Sequence, residues 1–173
     1  MSNLLIVESK SKCSKIEEYL GSGYKCMASL GHIYELEKGL QAIEIDNDYN
    51  PRYRLIPDKK SIVGDLQRAA KRANIVYLAA DPDREGEAIA LHLYEALKIP
   101  IEKIKRITFN EITKKAVLEA IQNPRDIDIP LCNAQKARRV LDRLFGFTIS
   151  PVLWNHVGKS LSAGRCQSPA LDI

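Results

Sequence analysis

Short continuous apolar runs alternate with stretches in which apolar residues recur every three or four positions, a pattern that predicts strands and helices in turn. Residues 4–8 (LLIVE) predict a first strand, after which Ser9 and Ser11 offer N-caps for a helix over about 12–20 closed by Gly21. Residues 24–30 predict a second strand ending at Gly31-His32. Between Leu36 and Pro57 turn-forming residues are frequent, so only short strands and loop are expected there, with alternation over 41–50. Residues 60–72 have helical spacing in Ile62, Leu66, Ala69 and Ala73, and 74–80 (NIVYLAA) read as a strand buried on both faces. The sequence Asp81-Pro82-Asp83-Arg84-Glu85-Gly86-Glu87 then leads into a helix over 88–97. A strand at 104–108 and a helix at 113–121 complete the alternation. Such an order predicts an α/β fold, a mostly parallel sheet with helices on both faces over residues 1–129. A partial, mainly helical segment follows over 130–173. Within it, residues 133–144 place Ala137, Leu141, Leu144 and Phe145 on one face and Lys136, Arg139 and Arg143 on another.

A chain of 173 residues accommodates one ordinary domain and part of another. At 45% hydrophobic and 28% charged residues its composition is that of a globular protein. No apolar run approaches the roughly 18 residues of a membrane span, and the N-terminus lacks the pattern of a signal peptide, so an intracellular protein without a membrane partner is expected. Cys13, Cys26, Cys132 and Cys166 form no CxxC pair, and reduced, mostly buried thiols are expected. The net charge of +4 is unevenly placed. Residues 1–129 hold 20 basic and 20 acidic side chains, so of the 26 and 22 in the whole chain, six basic and two acidic ones lie in 130–173. A neutral segment centred on carboxylates beside a basic one suggests a cation site next to a phosphate-binding surface.

In an open α/β sheet, side chains at the carboxyl ends of strands line the ligand crevice. Glu8 ends the first strand, and Asp81 and Asp83 follow the central one. Carboxylates about 4 Å apart repel by roughly 1 kcal/mol in water and 4 kcal/mol near a protein surface, so such a cluster calls for a cation. Oxygen-only donors point to Mg²⁺ rather than zinc. An isolated DxD is more often a turn or helix cap; the density of charge in this stretch, which contributes nothing to packing, favours a site. Gly86 would let the backbone approach a ligand, or simply start a helix. Lys10, Lys12 and Lys15 surround the first helix start, where a phosphate would meet free N–H groups, and Lys12 is the best placed of the three.

Six segments, VESKSKCSKI, SLGHIYEL, AADPDREGEAIA, ITFNEIT, ARRVLDRLFGFTISPVLW and LSAGRCQSPAL, in this order, resemble the type IA DNA topoisomerases from end to end. The first and third resemble the Toprim (Rossmann-like) fold, shared with primases and some nucleases. The resemblance implies a Toprim domain over 1–129 and the start of the adjoining DNA-binding domain over 130–173. It implies catalytic roles for Glu8, Lys12 and Arg84, and a Mg²⁺ site on Asp81, Asp83 and Glu85. It implies single-stranded DNA contacts for His32, Arg138, Arg139, Asp142, Arg143, Arg165 and Gln167. His92 and His156 match nothing catalytic. The activity implied is cleavage and rejoining of single DNA strands through a 5′-phosphotyrosine, in an intracellular, DNA-associated protein with no small-molecule cofactor. None of the seven tyrosines has the family's nucleophile surroundings, so the chain is expected to be the inactive N-terminal part of a longer enzyme. Another Toprim enzyme, a short non-catalytic DNA-binding module and, more distantly, a DxD phosphatase remain as alternatives. The RRVLDR and SAGRCQS segments weigh against the first and the acidic cluster against the second.

Overall fold

The structure, a computed structural model, describes residues 2–170; the last three positions of the 130–173 segment lie outside the described residues. In chain order the elements are β1 (Asn3–Val7), α1 (Lys10–Leu20), β2 (Tyr24–Ala28), β3 (Tyr34–Leu36), β4 (Ile43–Glu44), β5 (Asn50–Pro51), β6 (Tyr53–Leu55), α2 (Lys60–Arg72), β7 (Val76–Ala79), α3 (Arg84–Leu97), β8 (Ile104–Arg106), α4 (Lys114–Gln122), α5 (Ile129–His156) and α6 (Gln167–Ala170). They group into two compact units. The first is Met1–Glu35 with Leu55–Cys132, and the second is Leu36–Arg54 with Asn133–Ile173.

The first unit is built on a four-stranded sheet of order β2-β1-β7-β8 in which every pairing is parallel, as the alternating pattern predicts. Successive side chains of a strand face opposite ways. Leu4, Ile6, Val76 and Leu78 therefore pack on one face with Leu66 of α2 and Leu93 of α3. Leu5, Val7, Tyr77 and Ala79 pack on the other with Ile16 of α1 and Val117 of α4. From β1 the chain moves outward to β2 through α1; from β7 it moves the opposite way to β8 through α3, on the other face. The strand order thus reverses between β1 and β7, which is where a parallel sheet opens a crevice at its carboxyl edge.

Several boundaries differ from the sequence expectation. β2 stops at Ala28 rather than residue 30 because Leu30 and Gly31 adopt left-handed φ values of 58° and 83°, which turns the chain toward His32. α3 begins at Arg84 rather than at residue 88, so the acidic stretch is itself the first helical turn. Of the cysteines, Cys26 and Cys132 are buried, Cys13 is half-buried and Cys166 is exposed; all are free thiols. Burial pushes the Cys26 thiol pKa well up. Burial, followed by the Glu87 and Asp128 carboxylates, raises that of Cys132 to about 11.

In the second unit β4 and β5 pair antiparallel, and Leu36, Ala42 and Ile43 are buried with Val140, with Tyr53 and Leu144 packed against them. The apolar face expected of the helix is corrected here. Ala137 and Leu141 are exposed, and the buried side is that of Val140. One residue along a helix is a rotation of about 100°, so the choice between Val140 and Leu141 turned on a partner segment roughly a hundred residues earlier in the chain. α5 also runs from 129 to 156 through Pro151, far beyond the expected 133–144.

Candidate active site

The register pairs Val7 of β1 with Ala79 of β7, so the next residues, Glu8 and then Asp81, emerge side by side at the crevice. Glu8 Oε1 accepts the Asp81 N–H at 2.9 Å, and the Glu8 carbonyl accepts the Gly31 N–H at 3.2 Å. Lys12, in the first turn of α1, reaches across to place Nζ 2.8 Å from Asp81 Oδ1. Its ammonium opposes the positive end of α1, and the Asp81 carboxylate compensates. The two side chains are 26% and 48% exposed, so the pair is open to solvent and to a ligand.

Asp83 is the N-cap of α3, its Oδ1 accepting the Gly86 N–H at 2.8 Å. The ordinary cap role of a DxD is therefore realised by its second aspartate, which still has Oδ2 to offer. Gly86 is required by a close approach to Asp81 itself rather than to a ligand: a Cβ there would lie 2.1 Å from the Asp81 carbonyl oxygen. Glu85 Oε2 lies 3.1 Å from His32 Nε2, and behind His32 the buried His92 ring packs edge-on at 6.2 Å and also against Tyr34 at 5.4 Å. Arg84 is exposed on the same first turn. A cleft at this edge is lined by Lys12, Asp81, Asp83, Asn110 and Glu111. Among the described residues no three carboxylate, imidazole or thiol groups stand together as a ready cage for a metal ion. The available donors are carboxylate oxygens, with Asp81 balanced by Lys12, which suits a hard cation that keeps most of its waters.

Glu87 is set apart from its acidic neighbours. The expectation that this whole stretch contributes nothing to packing is wrong for it, since its side chain is fully buried. Its Oε1 lies 3.0 Å from Arg106 Nε and 2.8 Å from Arg106 Nη2, and also receives Arg125 Nη2; its Oε2 accepts the Asp128 N–H at 3.0 Å. Burial raises the Glu87 pKa, but the hydrogen bonds from Arg125, Arg106 and Asp128 N and the Arg106 charge outweigh it and leave the group below its usual range. Arg106 is equally buried, and donates through Nη1 to the carbonyls of Leu78, Ala80 and Ile107 and through Nη2 to that of Asp81.

In the second unit the basic residues divide. Asp142 is shared by Arg165, whose Nε is 2.7 Å away, and by Arg138 at 3.7 Å. Lys136 bonds Asn50 Oδ1 at 2.7 Å. Arg143 donates to the carbonyls of Glu37 and Gly39, each at 3.3 Å, and lies over the Phe147 ring at 5.0 Å. Gln167 accepts from Ser162 Oγ at 3.4 Å. Arg139 is half-buried with one terminal nitrogen, Nη1, unbonded. The expected basic face is thus partly committed to contacts inside its own unit.

Residues 3–112 match the Toprim domain family, and residues 126–173 match a DNA topoisomerase family. The chain belongs to the Toprim family. It is also similar to full-length topoisomerase I from Thermotoga maritima, at 40% identity and a TM-score of 0.88 over 98% of this chain and 29% of that one. The type IA resemblance carried by the six segments and the α/β Toprim fold are both borne out.

Within the Toprim domain, the geometry brings Glu8, Lys12 and Asp81 into direct contact, with Asp83, Glu85 and His32 on the adjoining helix turn and loop. Arg106 escaped the sequence reading. Its one signal was a charged residue inside a short apolar strand, where a solvated side chain was the ordinary expectation. Arg125 gave no signal at all.

Proposed function

We propose that this chain carries the strand-cleaving and rejoining site of a type IA DNA topoisomerase, completed in a longer enzyme by a tyrosine that is not among the seven present here. The observation that carries this reading is the seating of Glu8 on the Asp81 N–H with Lys12 on the same aspartate, at the switch point of a Toprim sheet. In transesterification a tyrosine hydroxyl attacks a backbone phosphorus, the bond to the 3′ oxygen breaks, and that oxygen needs a proton which it must return on rejoining. Glu8, with Oε1 committed to Asp81, has Oε2 for that transfer. Lys12 supplies positive charge for the crowded transition state, and Arg84, exposed in the first turn of α3 between Asp83 and Glu85, offers a guanidinium to a strand phosphate.

Asp81 and Asp83, supported by Glu85, would hold Mg²⁺, which supplies charge neutralisation and alignment of phosphate and hydroxyl. His32 would face the strand near the site. Arg138, Arg139, Asp142, Arg143, Arg165 and Gln167 would line its path as single-stranded DNA, with Asp142 orienting its arginines. No tyrosine lines the cleft, and Tyr24 and Tyr77 pack against each other with the Tyr77 phenol raised by burial. An intracellular, DNA-associated location accords with this role; among the described residues no helix is long and apolar enough to cross a membrane.

The experiment is a Mg²⁺ titration of the chain followed by amide NMR, repeated with Asp81→Asn/Asp83→Asn, together with a search for covalent adducts on single-stranded DNA. Asparagine preserves the α3 cap. Saturable shifts around residues 81–86 that vanish in the double variant, with no adduct, are expected. An adduct on any of the seven tyrosines, or shifts unaffected by the substitutions, would overturn the assignment.

A further inference from the structure

Asp81 is the point at which three side chains meet. Its N–H is held by Glu8 Oε1 at 2.9 Å, its Oδ1 by Lys12 Nζ at 2.8 Å, and its carbonyl by Arg106 Nη2 at 2.9 Å. The first two are groups that the proposed chemistry uses. The third comes from a side chain with no solvent exposure, which the chemistry does not use.

A buried ion pair is a poor device for stability alone, because an apolar pair of similar volume commonly serves as well or better. What Arg106 provides is geometry. β7 ends at Ala79 and β8 at Arg106, so the carbonyls of Ala80, Asp81 and Ile107 have no further ladder to join, whereas that of Leu78 already accepts the Ile107 N–H. The guanidinium occupies that gap, collecting the carbonyls of Leu78, Ala80, Asp81 and Ile107, while Glu87 holds Nε and Nη2 from the opposite side. Gly86 closes the other side of the same peptide, too near the Asp81 carbonyl for any side chain. We propose that Arg106 is a positioning residue of the site: its planar fork fixes the Asp81 peptide, and thereby the meeting point of Glu8, Lys12 and the cation-binding carboxylates. Lysine cannot replace it, since a point charge with rotatable donors cannot span four carbonyls and a carboxylate in one plane. Its part in cation binding rests on the function proposed above; its hold on the Asp81 peptide does not.

The test has a readout for each part. In the unaltered chain, hydrogen exchange of the Asp81 amide is expected only at the rate of global unfolding. In Arg106→Lys that amide should exchange at least tenfold faster than the slowest core amides. Mn²⁺ binding, followed by paramagnetic relaxation, should weaken about 10- to 100-fold, the usual loss when an outer-shell partner of a metal ligand is removed. Leu66→Ala, a core change on α2 away from the site, controls for lost stability: it should speed the Asp81 and core amides together, leaving their ratio and the Mn²⁺ affinity each within about twofold of the unaltered chain. An Asp81 amide that exchanges like an open loop in the unaltered chain overturns the inference even if the lysine variant does not fold. Equal losses in the lysine and alanine variants overturn it as well. If the unaltered chain binds no Mn²⁺ while the amide behaves as expected, the cation assignment falls and the positioning role stands.

Discussion

Replacing Glu87 by glutamine changes almost no volume but removes the one carboxylate that, among the described residues, is hydrogen-bonded to the buried Arg106 guanidinium. A guanidinium does not deprotonate in a protein, so Arg106 would stay charged at zero exposure without the carboxylate it is hydrogen-bonded to, leaving only the more distant charge of Glu8 to act on it. Breaking one side of a buried pair costs about 3–5 kcal/mol. Four main-chain carbonyls still receive Arg106, and the glutamine oxygen can still accept the Asp128 N–H, so the lower end, about 3 kcal/mol, is expected. Against a typical total of about 5–15 kcal/mol this is a large loss. The assay is urea unfolding followed by circular dichroism at pH 7. The pH dependence gives a second check. Glu87 has a folded pKa below its ordinary 4.5, so its contribution is fully present above that value and is lost as pH falls through the folded pKa. The gap between the two proteins should therefore be constant from pH 5 to 7 and narrow below about pH 4. A loss under about 1 kcal/mol, or a gap that widens in acid, would refute the picture of a charged, mutually dependent cluster.

Two further outcomes follow from the geometry. Gly86→Ala should cost about 1–3 kcal/mol by overpacking against the Asp81 peptide and should also weaken Mg²⁺ binding, because the Cβ would sit 2.1 Å from the Asp81 oxygen; thermal unfolding and a metal titration read the two effects. For single-stranded DNA, the combined Arg139→Gln/Arg143→Gln change should lower the salt slope of affinity by about 0.7, one phosphate contact rather than two, since Arg143 is committed to the Glu37 and Gly39 carbonyls; a drop near 1.4 would show that Arg143 leaves them for phosphate.

The alternation of strand and helix, the parallel sheet and the carboxylates at strand ends were legible in the sequence because each depends on local periodicity. An apolar run such as NIVYLAA can be buried on both faces only in a covered sheet, and residues that follow it must emerge at its carboxyl edge. Family motifs supplied the candidate residues, and the register of β1 on β7 then brought Glu8 to Asp81. Spacing alone did not separate Glu85 from Glu87. Two residues apart on a helix, they point about 200° from each other, so one meets His32 at the crevice and the other enters the core beside Arg106. Nor could it choose Val140 over Leu141, because the partner surface, Leu36 with Ala42 and Ile43, lies about a hundred residues earlier in the chain. Local pattern determined which elements form and where chemistry could gather. Which carboxylate became ligand-facing and which became a buried counterion was decided by tertiary contacts, since the cost of burying a charge depends on the partner that packing brings to it.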